Sequence, residues 1–364
     1  MAPVFIALAE NNLFAIDVFC GPIPKDMGFV NLQPQDSTVI RFHQGLTNSL
    51  FGRIKSNLHF LSFLYQKKPD IVLAWVDTKK ASFWFTLLLG KLLRIPVFSR
   101  GHGAFKRRKA KLLHQIAYQL ILRLSHSYVC YTIGVKQSLM SWTHNPQKLL
   151  VDHNSMHNGY PILPAQKHGQ EQGLLYLGRL RGNCGIEILI DAVKKYNSEN
   201  AVQVDLHIIG GGPLSGYVKN QLKHVPQIHY YGELFDQEKI SIISKACRWG
   251  VGPGFMGLNV VHMMSLSLPV LTHCQLDLHM GPEPEYLKHQ RNGWLMPEQN
   301  SIDGLLSAVN SIWDLSPEET KKMQSNAFKT YQMLSAPPYY ERLARILLEE
   351  ADIDSLLDEG QWSF

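Results

Sequence analysis

The sequence predicts an α/β protein built from two doubly wound, Rossmann-like domains that face each other across a cleft. Three observations carry this: a length of 364 residues, an alternation of short β-rich runs with longer helical patterns, and a repeat of that alternation after a polar, proline-containing stretch. A single core stops growing near ~250 to 300 residues, so a chain of this length divides. Strands that alternate with helices imply parallel sheets covered on both faces, with ligands held at the carboxyl ends of the strands.

In the first half, "FAIDVFCG" (Phe14 to Gly21), "STVIRF" (Ser37 to Phe42), "DIVLAWV" (Asp70 to Val76), "IPVFSRG" (Ile95 to Gly101) and "HSYVCYT" (His126 to Thr132) read as strands. Helical patterns lie near 50–66, 80–93, 105–124 and 134–142. "YPILPAQKHGQEQG" (Tyr160 to Gly173) reads as a linker. The expected division is a first domain over 1–160, a linker over 161–172, a second domain over 173–334 and a terminal helix over 335–364 that crosses back to the first domain. The second domain repeats the pattern through the strands "GLLYLGRL", "VDLHIIGGG", "IHYYGEL", "WGVGPG" and "PVLTH". One irregularity stands at the start, where "APVFIALAENN" reads as a helix. Either a first strand lies upstream of Met1 or the sheet starts later than usual.

Composition narrows the function classes. Hydrophobic content of 45% with 18% charged residues fits a globular chain. The apolar run "ASFWFTLLLG" stops at Lys91, short of the roughly 20 residues a bilayer span needs. The N-terminus lacks the basic region and cleavage site of a secretory signal. Five scattered cysteines without a C-x-x-C pair suggest neither a disulfide framework nor a zinc site, so a reducing cytoplasm is the default location. Residues 1–160 hold 19 Lys and Arg against 7 Asp and Glu, and the rest hold 17 against 23. The halves thus carry +12 and −6, and the first half is expected to meet something anionic. Nucleic acid is not the expected partner, because the basic cluster has no interleaved aromatics or known motif.

"GRLRGNCG" (Gly178 to Gly185) lies between a strand and a helix, where backbone N–H groups face an anion and Arg179 adds a charge. "IIGGGP" supplies a second permissive turn at Gly210, Gly211 and Gly212, and "PGFMGL" a third across Gly254, Gly257 and Leu258. None of them is a dinucleotide fingerprint with an acidic residue about 20 positions on, which sets a nicotinamide-dependent oxidoreductase aside. In the first half, "SRGHGAFKRRKAK" (Ser99 to Lys111) places His102 between two glycines at a strand end, with Arg100 on the same turn as a phosphate partner. The following helix carries Leu112, Leu113, Ile116, Leu120 and Leu124 on one stripe, which in most amphipathic helices packs on the core. The cluster containing Lys106, Arg107 and Arg108 reads as a patch for anionic headgroups or a polyprenyl diphosphate. His153 and His157 are spaced i, i+4 but run into an Asn-Gly turn, so no metal site is expected.

In order and spacing, "GRL", "IIGGGP", "YGEL", "PGFMGLNVVHMMSLSLPV" and "PEYLKHQRNGWL" resemble the C-terminal domain of retaining GT-B glycosyltransferases of family 4, over about Gly173 to Trp313. The first half resembles them more loosely, through "KPDIVLAWVD", "RIPVFSRGHG" and "LLVDHNSMHNGYP". The resemblance implies a GT-B fold, a nucleotide-sugar donor held by the second domain, and an acceptor, lipid-linked or saccharide, held by the first near His102. It implies a retaining reaction without metal or other cofactor, in surface polysaccharide synthesis, in the cytoplasm and peripherally on the inner face of the plasma membrane. Donor contacts fall on Gly178, Arg179, Arg181, Gly210, Gly211, Gly212, Gly254, Gly257, Leu258, His262, Glu283 and Glu285, with Arg179 and His102 as catalytic candidates. Acceptor or membrane contacts fall on Arg100, Lys106, Arg107 and Arg108. The chain departs from the family pattern where a lysine becomes Cys184 and two glutamates become Gly254 and His262. Those departures leave a second reading open, a non-catalytic GT-B homologue that binds or scaffolds in a polysaccharide assembly complex. Restoring glutamate at 254 and 262 and lysine at 184 is the substitution set that would separate the two.

Overall fold

The computed structural model describes residues 2–10, 14–20, 40–44, 48–50, 54–56, 58–104, 112–223 and 225–349. The chain divides into two units: Met1–His153 with Pro337–Phe364, and Asn154–Ala336. Unit 1 opens with α1 (Ala2–Glu10), then β1 (Ile16–Cys20), β2 (Ile40–Gln44), β3 (Asn48–Leu50), β4 (Ile54–Ser56), α2 (Leu58–Lys67), β5 (Val72–Trp75), α3 (Ala81–Leu93), β6 (Val97–Gly101), α4 (Leu112–Leu124), β7 (Ser127–Cys130), α5 (Ile133–Met140) and β8 (Leu149–Val151). Strands β5 to β8 pair in that order, all parallel. β1 and β2 form a separate parallel pair, and β3 and β4 a small antiparallel one. The helical pattern over 50–66 therefore splits, its first part becoming β4 and only its second part α2. In the second part Phe60, Leu61 and Leu64 carry the helical period and pack on the core of this unit.

The core of unit 1 has two faces. On one, Phe83 and Leu87 of α3 and Tyr118, Ile121 and Leu122 of α4 pack against Val72, Val97, Tyr128 and Cys130 of the sheet. This corrects the expectation for α4: Leu112, Leu113, Ile116 and Leu120 are exposed, and the core takes the opposite side of the helix. That side carries Tyr118, Ile121 and Leu122, a second apolar face of the same helix, and these three are the residues buried against the sheet. On the other face, Leu8, Phe98 and Val129 pack with residues from the end of the chain. The basic segment with Lys106, Arg107 and Arg108, and most of the acidic tail, lie outside the described residues.

Unit 2 is built from β9 (Gly173–Leu177), α6 (Ile186–Glu199), β10 (Asp205–Ile209), α7 (Ser215–Gln221), β11 (Ile228–Gly232), α8 (Gln237–Ser244), β12 (Cys247–Gly252), α9 (Asn259–Ser265), β13 (Val270–His273), β14 (Gly293–Met296), α10 (Ile302–Trp313) and α11 (Pro317–Ser335). Its six strands are parallel, in the order β11-β10-β9-β12-β13-β14. The stretch read as a linker belongs to this unit: Ile162 donates its N–H to Ser265 O, and the buried Lys167 donates from Nζ to the carbonyls of Ser244 and Cys247 at 2.6 and 2.8 Å. Burial lowers the Lys167 pKa to about 8, offset in part by Cys247 and Glu171. A buried ammonium with carbonyl partners is costly to displace, so the stretch read as a linker is tied to unit 2.

After α11 the chain returns to unit 1 with α12 (Tyr339–Leu347). Arg342 on α12 donates from Nε to Asp152 Oδ1 at 3.2 Å and from Nη2 to His153 O at 2.8 Å. Arg100 on β6 donates from Nη1 to Asp152 Oδ2 at 2.7 Å. All three side chains are fully buried.

Candidate functional site

In unit 2 the chain order of the strands reverses between β9 and β12, each flank running outward from there. A crevice forms at the carboxyl ends of strands at such a switch point. The three glycine-containing turns all leave strand ends in this region: Gly178 follows β9, Gly210 follows β10, and the Pro253–Leu258 turn follows β12. They interlock. Gly178 N–H donates to Ile209 O at 3.0 Å, Leu180 N–H to Gly211 O at 2.9 Å, and Phe255 N–H to Asn183 O at 3.0 Å. Gly210 has φ +151°, and a Cβ there would lie 1.8 Å from Gly178 O, so the close approach of the turns requires glycine.

Arg179 and Arg181 stand half-exposed on the first turn. The Arg179 pKa is lowered, first by partial burial and then by the Arg181 charge, with Glu233 acting in the other direction. Two guanidiniums that oppose each other's charge are relieved by an anion placed between them. Arg181 contacts Met280 Sδ through Nη2, and Met280 N–H donates to Met256 O at 2.8 Å. A Cβ at Gly257 would lie 3.6 Å from Glu283 Oε2. The structure thus brings Arg179, Arg181, the Gly210 to Gly212 turn, Gly254, Gly257 and the Glu283 carboxylate to one end of one sheet. Glu283 is buried and its Oε1 accepts from Asn154 Nδ2 at 2.5 Å. Glu285 is half-exposed on the same short helical turn. Gly257 N–H, expected to face a ligand, donates instead to Asn259 Oδ1 at 2.9 Å. His262 lies on the last turn of α9, where burial lowers its pKa to about 4 and its Nε2 has no hydrogen-bond partner.

Residues that the motifs did not reveal hold this arrangement. Asn259 Nδ2 donates to Leu177 O at 2.9 Å while its oxygen takes Gly257 N–H, tying the end of β9 to the β12 turn. Behind that turn, His273 and His279 stack with ring centroids 3.8 Å apart. His273 Nε2 lies 3.2 Å from Gly254 O and donates to it; His279 Nε2 donates to His273 O at 3.0 Å, and His279 Nδ1 accepts Met256 N–H at 3.3 Å. Only a sequence-distant pairing links these histidines to the turn, and no spacing rule signals it.

Burial lowers the His273 pKa to about 4 and that of His279 to about 3, the latter aided by His273. Both are neutral in the fold, while the unfolded chain binds protons below the ordinary value of 6.5. Stability present above pH 6.5 is therefore lost as pH falls towards 4 and then 3. Thermal unfolding followed across that range should show a falling midpoint, with a shallower fall in His279→Gln. An equal slope in the variant would contradict this account of the turn.

In unit 1 the loop after β6 carries His102, exposed and edge-on to the Tyr131 ring at 4.7 Å. The loop is clamped: Tyr118 OH donates to Gly103 O at 2.9 Å, and Gly103 N–H donates to Tyr128 OH at 3.1 Å. A cavity of about 290 Å³ lies there, lined by Trp75, Arg100, His102, His114, Tyr118 and Tyr131 among others. The Arg100 guanidinium is not presented to solvent. It lies 4.7 and 5.0 Å from the rings of Tyr131 and Tyr339 and is held by Asp152, so its charge already has a counter-ion inside the unit. His153 is buried and His157 exposed, with no helix between them to align the rings. Among the described residues no group of three or more His, Cys, Asp or Glu could hold a metal ion, and no helix is long and apolar enough to cross a membrane.

Residues 171–314 match the family Glycosyl transferases group 1. No curated protein matches the sequence. The fold matches solved glycosyltransferase structures of GT-B type. The lipopolysaccharide outer core galactosyltransferase WaaB, in its apo form, superposes with TM-score 0.63 at 19% identity, over 86% of this chain and 85% of that one. Anabaena HepE in complex with UDP gives 0.62 at 16% identity, over 85% and 86%. Sucrose-phosphate synthase from Thermosynechococcus elongatus gives 0.67 at 16% identity, over 96% and 94%.

Proposed function

We propose that this chain is a glycosyltransferase that moves a sugar from a nucleoside diphosphate sugar to a lipid-linked or saccharide acceptor, with retention of configuration and without a metal ion. The observation that carries the reading is the convergence of three glycine-containing turns at the switch point of unit 2, with Arg179 and Arg181 beside them. Its match to the group 1 glycosyl transferases supports it, as does the likeness in fold to HepE, solved with UDP. A nucleoside diphosphate fits the chemistry: closely approaching backbone at Gly178, Gly210 and Gly254, and two cations for the phosphates. As the bond to the sugar breaks, negative charge grows on the departing diphosphate, and a well-placed donor to such charge contributes about 3 to 4 kcal/mol. Arg179 and Arg181 are the donors proposed here, with Glu283, near Gly257, proposed on the sugar side of the site. His102, exposed over the aromatic cavity of unit 1, is the proposed acceptor-side group. The setting proposed is surface polysaccharide synthesis at the inner face of the plasma membrane, in the cytoplasm.

One observation favours a second reading, a binding subunit without turnover. The position of one family glutamate, Gly254, is closed to any side chain, because a Cβ there would lie 2.2 Å from Asn183 O. Turnover separates the readings. Release of nucleoside diphosphate from UDP-, GDP- or dTDP-sugars in the presence of acceptor is expected for the parent chain, with a loss of at least about 100-fold in Arg179→Ala. Nucleotide binding without release for any sugar would select the binding subunit instead.

A further inference from the structure

We propose that unit 1 carries a second ligand site, at the amino ends of β6, β7 and β8, that takes a soluble, hydroxyl-bearing phosphate ester of sugar-phosphate size, with Lys91, Arg94 and Lys148 on its phosphate. A cavity of about 950 Å³ lies there, and Ile95, His126 and Lys148, just ahead of the three strands, line it. His102 stands at the other end of the sheet, past the carboxyl end of β6. β6 is five residues long, about 16 Å at the usual rise per residue. The two cavities share no lining residue, so a ligand here does not compete with one bound near His102.

Three cations reach the cavity from separate segments. Lys91 lies in the last turn of α3, Arg94 follows that helix, and Lys148 closes the short helical turn Pro146–Lys148 before β8. Lys148 Nζ donates to Ser125 O at 3.0 Å, and its pKa is lowered by burial and then by the Lys91 charge. Like charges set side by side in this way are relieved by an anion. The one acidic residue of the lining, Glu349, is already hydrogen-bonded to His126. The dipole of α3 favours cations at its carboxyl end, but it does not account for Lys148, which arrives from another part of the chain.

Arg94 gives an independent observation. It ends α3 with φ +57° and ψ +34°, the left-handed conformation that glycine adopts without strain. An arginine costs more there, and what it adds is a guanidinium in the cavity wall. The remaining lining describes the body of the ligand. Asn145 and Gln147 bring amides for hydroxyl groups, and Ile95, Leu124 and Leu150 an apolar wall for the carbon face of a ring. A bare phosphate would use only the cations, whereas cavities of ~300 to 1,000 Å³ suit whole small molecules. The proposal is independent of nucleotide binding in unit 2.

The test is isothermal titration of the full chain with ribose 5-phosphate, ribose and inorganic phosphate. Ribose 5-phosphate is expected to bind, and the other two at least about tenfold more weakly. Arg94→Gly should lose binding by about tenfold or more while melting close to the parent, since glycine accepts that backbone conformation. Lys148→Gln should weaken binding by a similar factor, and it keeps the test decisive if Arg94→Gly misfolds. Arg179→Ala, in unit 2, should bind ribose 5-phosphate like the parent, which separates this site from the one proposed for nucleotide. A parent that does not bind, folded Arg94→Gly and Lys148→Gln chains that bind like the parent, or binding lost in Arg179→Ala would overturn the proposal. So would a Lys148→Gln chain that keeps ribose 5-phosphate but no longer sediments with phosphatidylglycerol vesicles, since the cations would then serve a lipid headgroup.

Discussion

Asp152→Ala should strongly destabilise unit 1. Asp152 is the shared counter-ion of Arg100 and Arg342, all three fully buried. Burial by itself would lower the Arg100 pKa; the Asp152 carboxylate, with Tyr339 and Tyr131, raises it above the ordinary value. Removing the carboxylate leaves two guanidinium cations in a site that water does not reach. Breaking a buried ion pair in this way costs roughly 3 to 5 kcal/mol, a large share of the roughly 5 to 15 kcal/mol that separates folded from unfolded domains. The loss also removes one tie of α12, which reaches Asp152 through Arg342. Chemical denaturation followed by far-ultraviolet circular dichroism should show the transition of this unit at much lower denaturant, and a midpoint equal to the parent's would contradict the role given to the triad.

Gly254→Ala should disable the crevice of unit 2, and Gly254→Glu should do so more completely. A Cβ at 254 would lie 2.2 Å from Asn183 O, 2.6 Å from Cys184 C and 2.8 Å from Cys184 O. All three are backbone atoms of the neighbouring turn, and Phe255 N–H is bonded to Asn183 O across the same gap. No rotamer change relieves such a contact; the two turns must separate, at a cost in the overpacking range of about 1 to 3 kcal/mol or more. The expected outcome is a lowered melting midpoint together with lost nucleotide binding. A Gly254→Glu chain that melts like the parent and turns over sugar nucleotide faster would instead show that the glutamate is accommodated.

That second result bears on how much of the site could be seen in the sequence. The parallel sheets, the repeat of the α/β pattern and the glycine turns were legible, because glycine at a strand end reports a backbone requirement directly. The pattern comparison at 254 and 184 reported residue types without volumes. Cys184 is buried in the core of unit 2, so a lysine restored there would point into apolar packing and not at a phosphate. Restoring the missing side chains therefore does not separate an active from a degenerate site, as the sequence suggested it would. Asn259, His273 and His279 were illegible for a different reason: each supports a turn through contacts set by the tertiary fold. The α4 stripe shows the same limit, since periodicity finds two apolar faces of a helix but cannot say which one the core takes.

The central claim is that the crevice flanked by Arg179 and Arg181 binds a nucleoside diphosphate. Its most direct test is the thermal shift of the parent chain and of Arg179→Ala with UDP, GDP and dTDP. Ligand at ~100 times its dissociation constant stabilises the folded state by about 2.7 kcal/mol, and each kcal/mol moves the midpoint by roughly 2 to 4 °C in domains of this size. A base-selective rise of several degrees that disappears in Arg179→Ala, with the variant's own midpoint unchanged, is the predicted result. A folded parent that shifts with none of the three, or a shift that survives in Arg179→Ala, would contradict it.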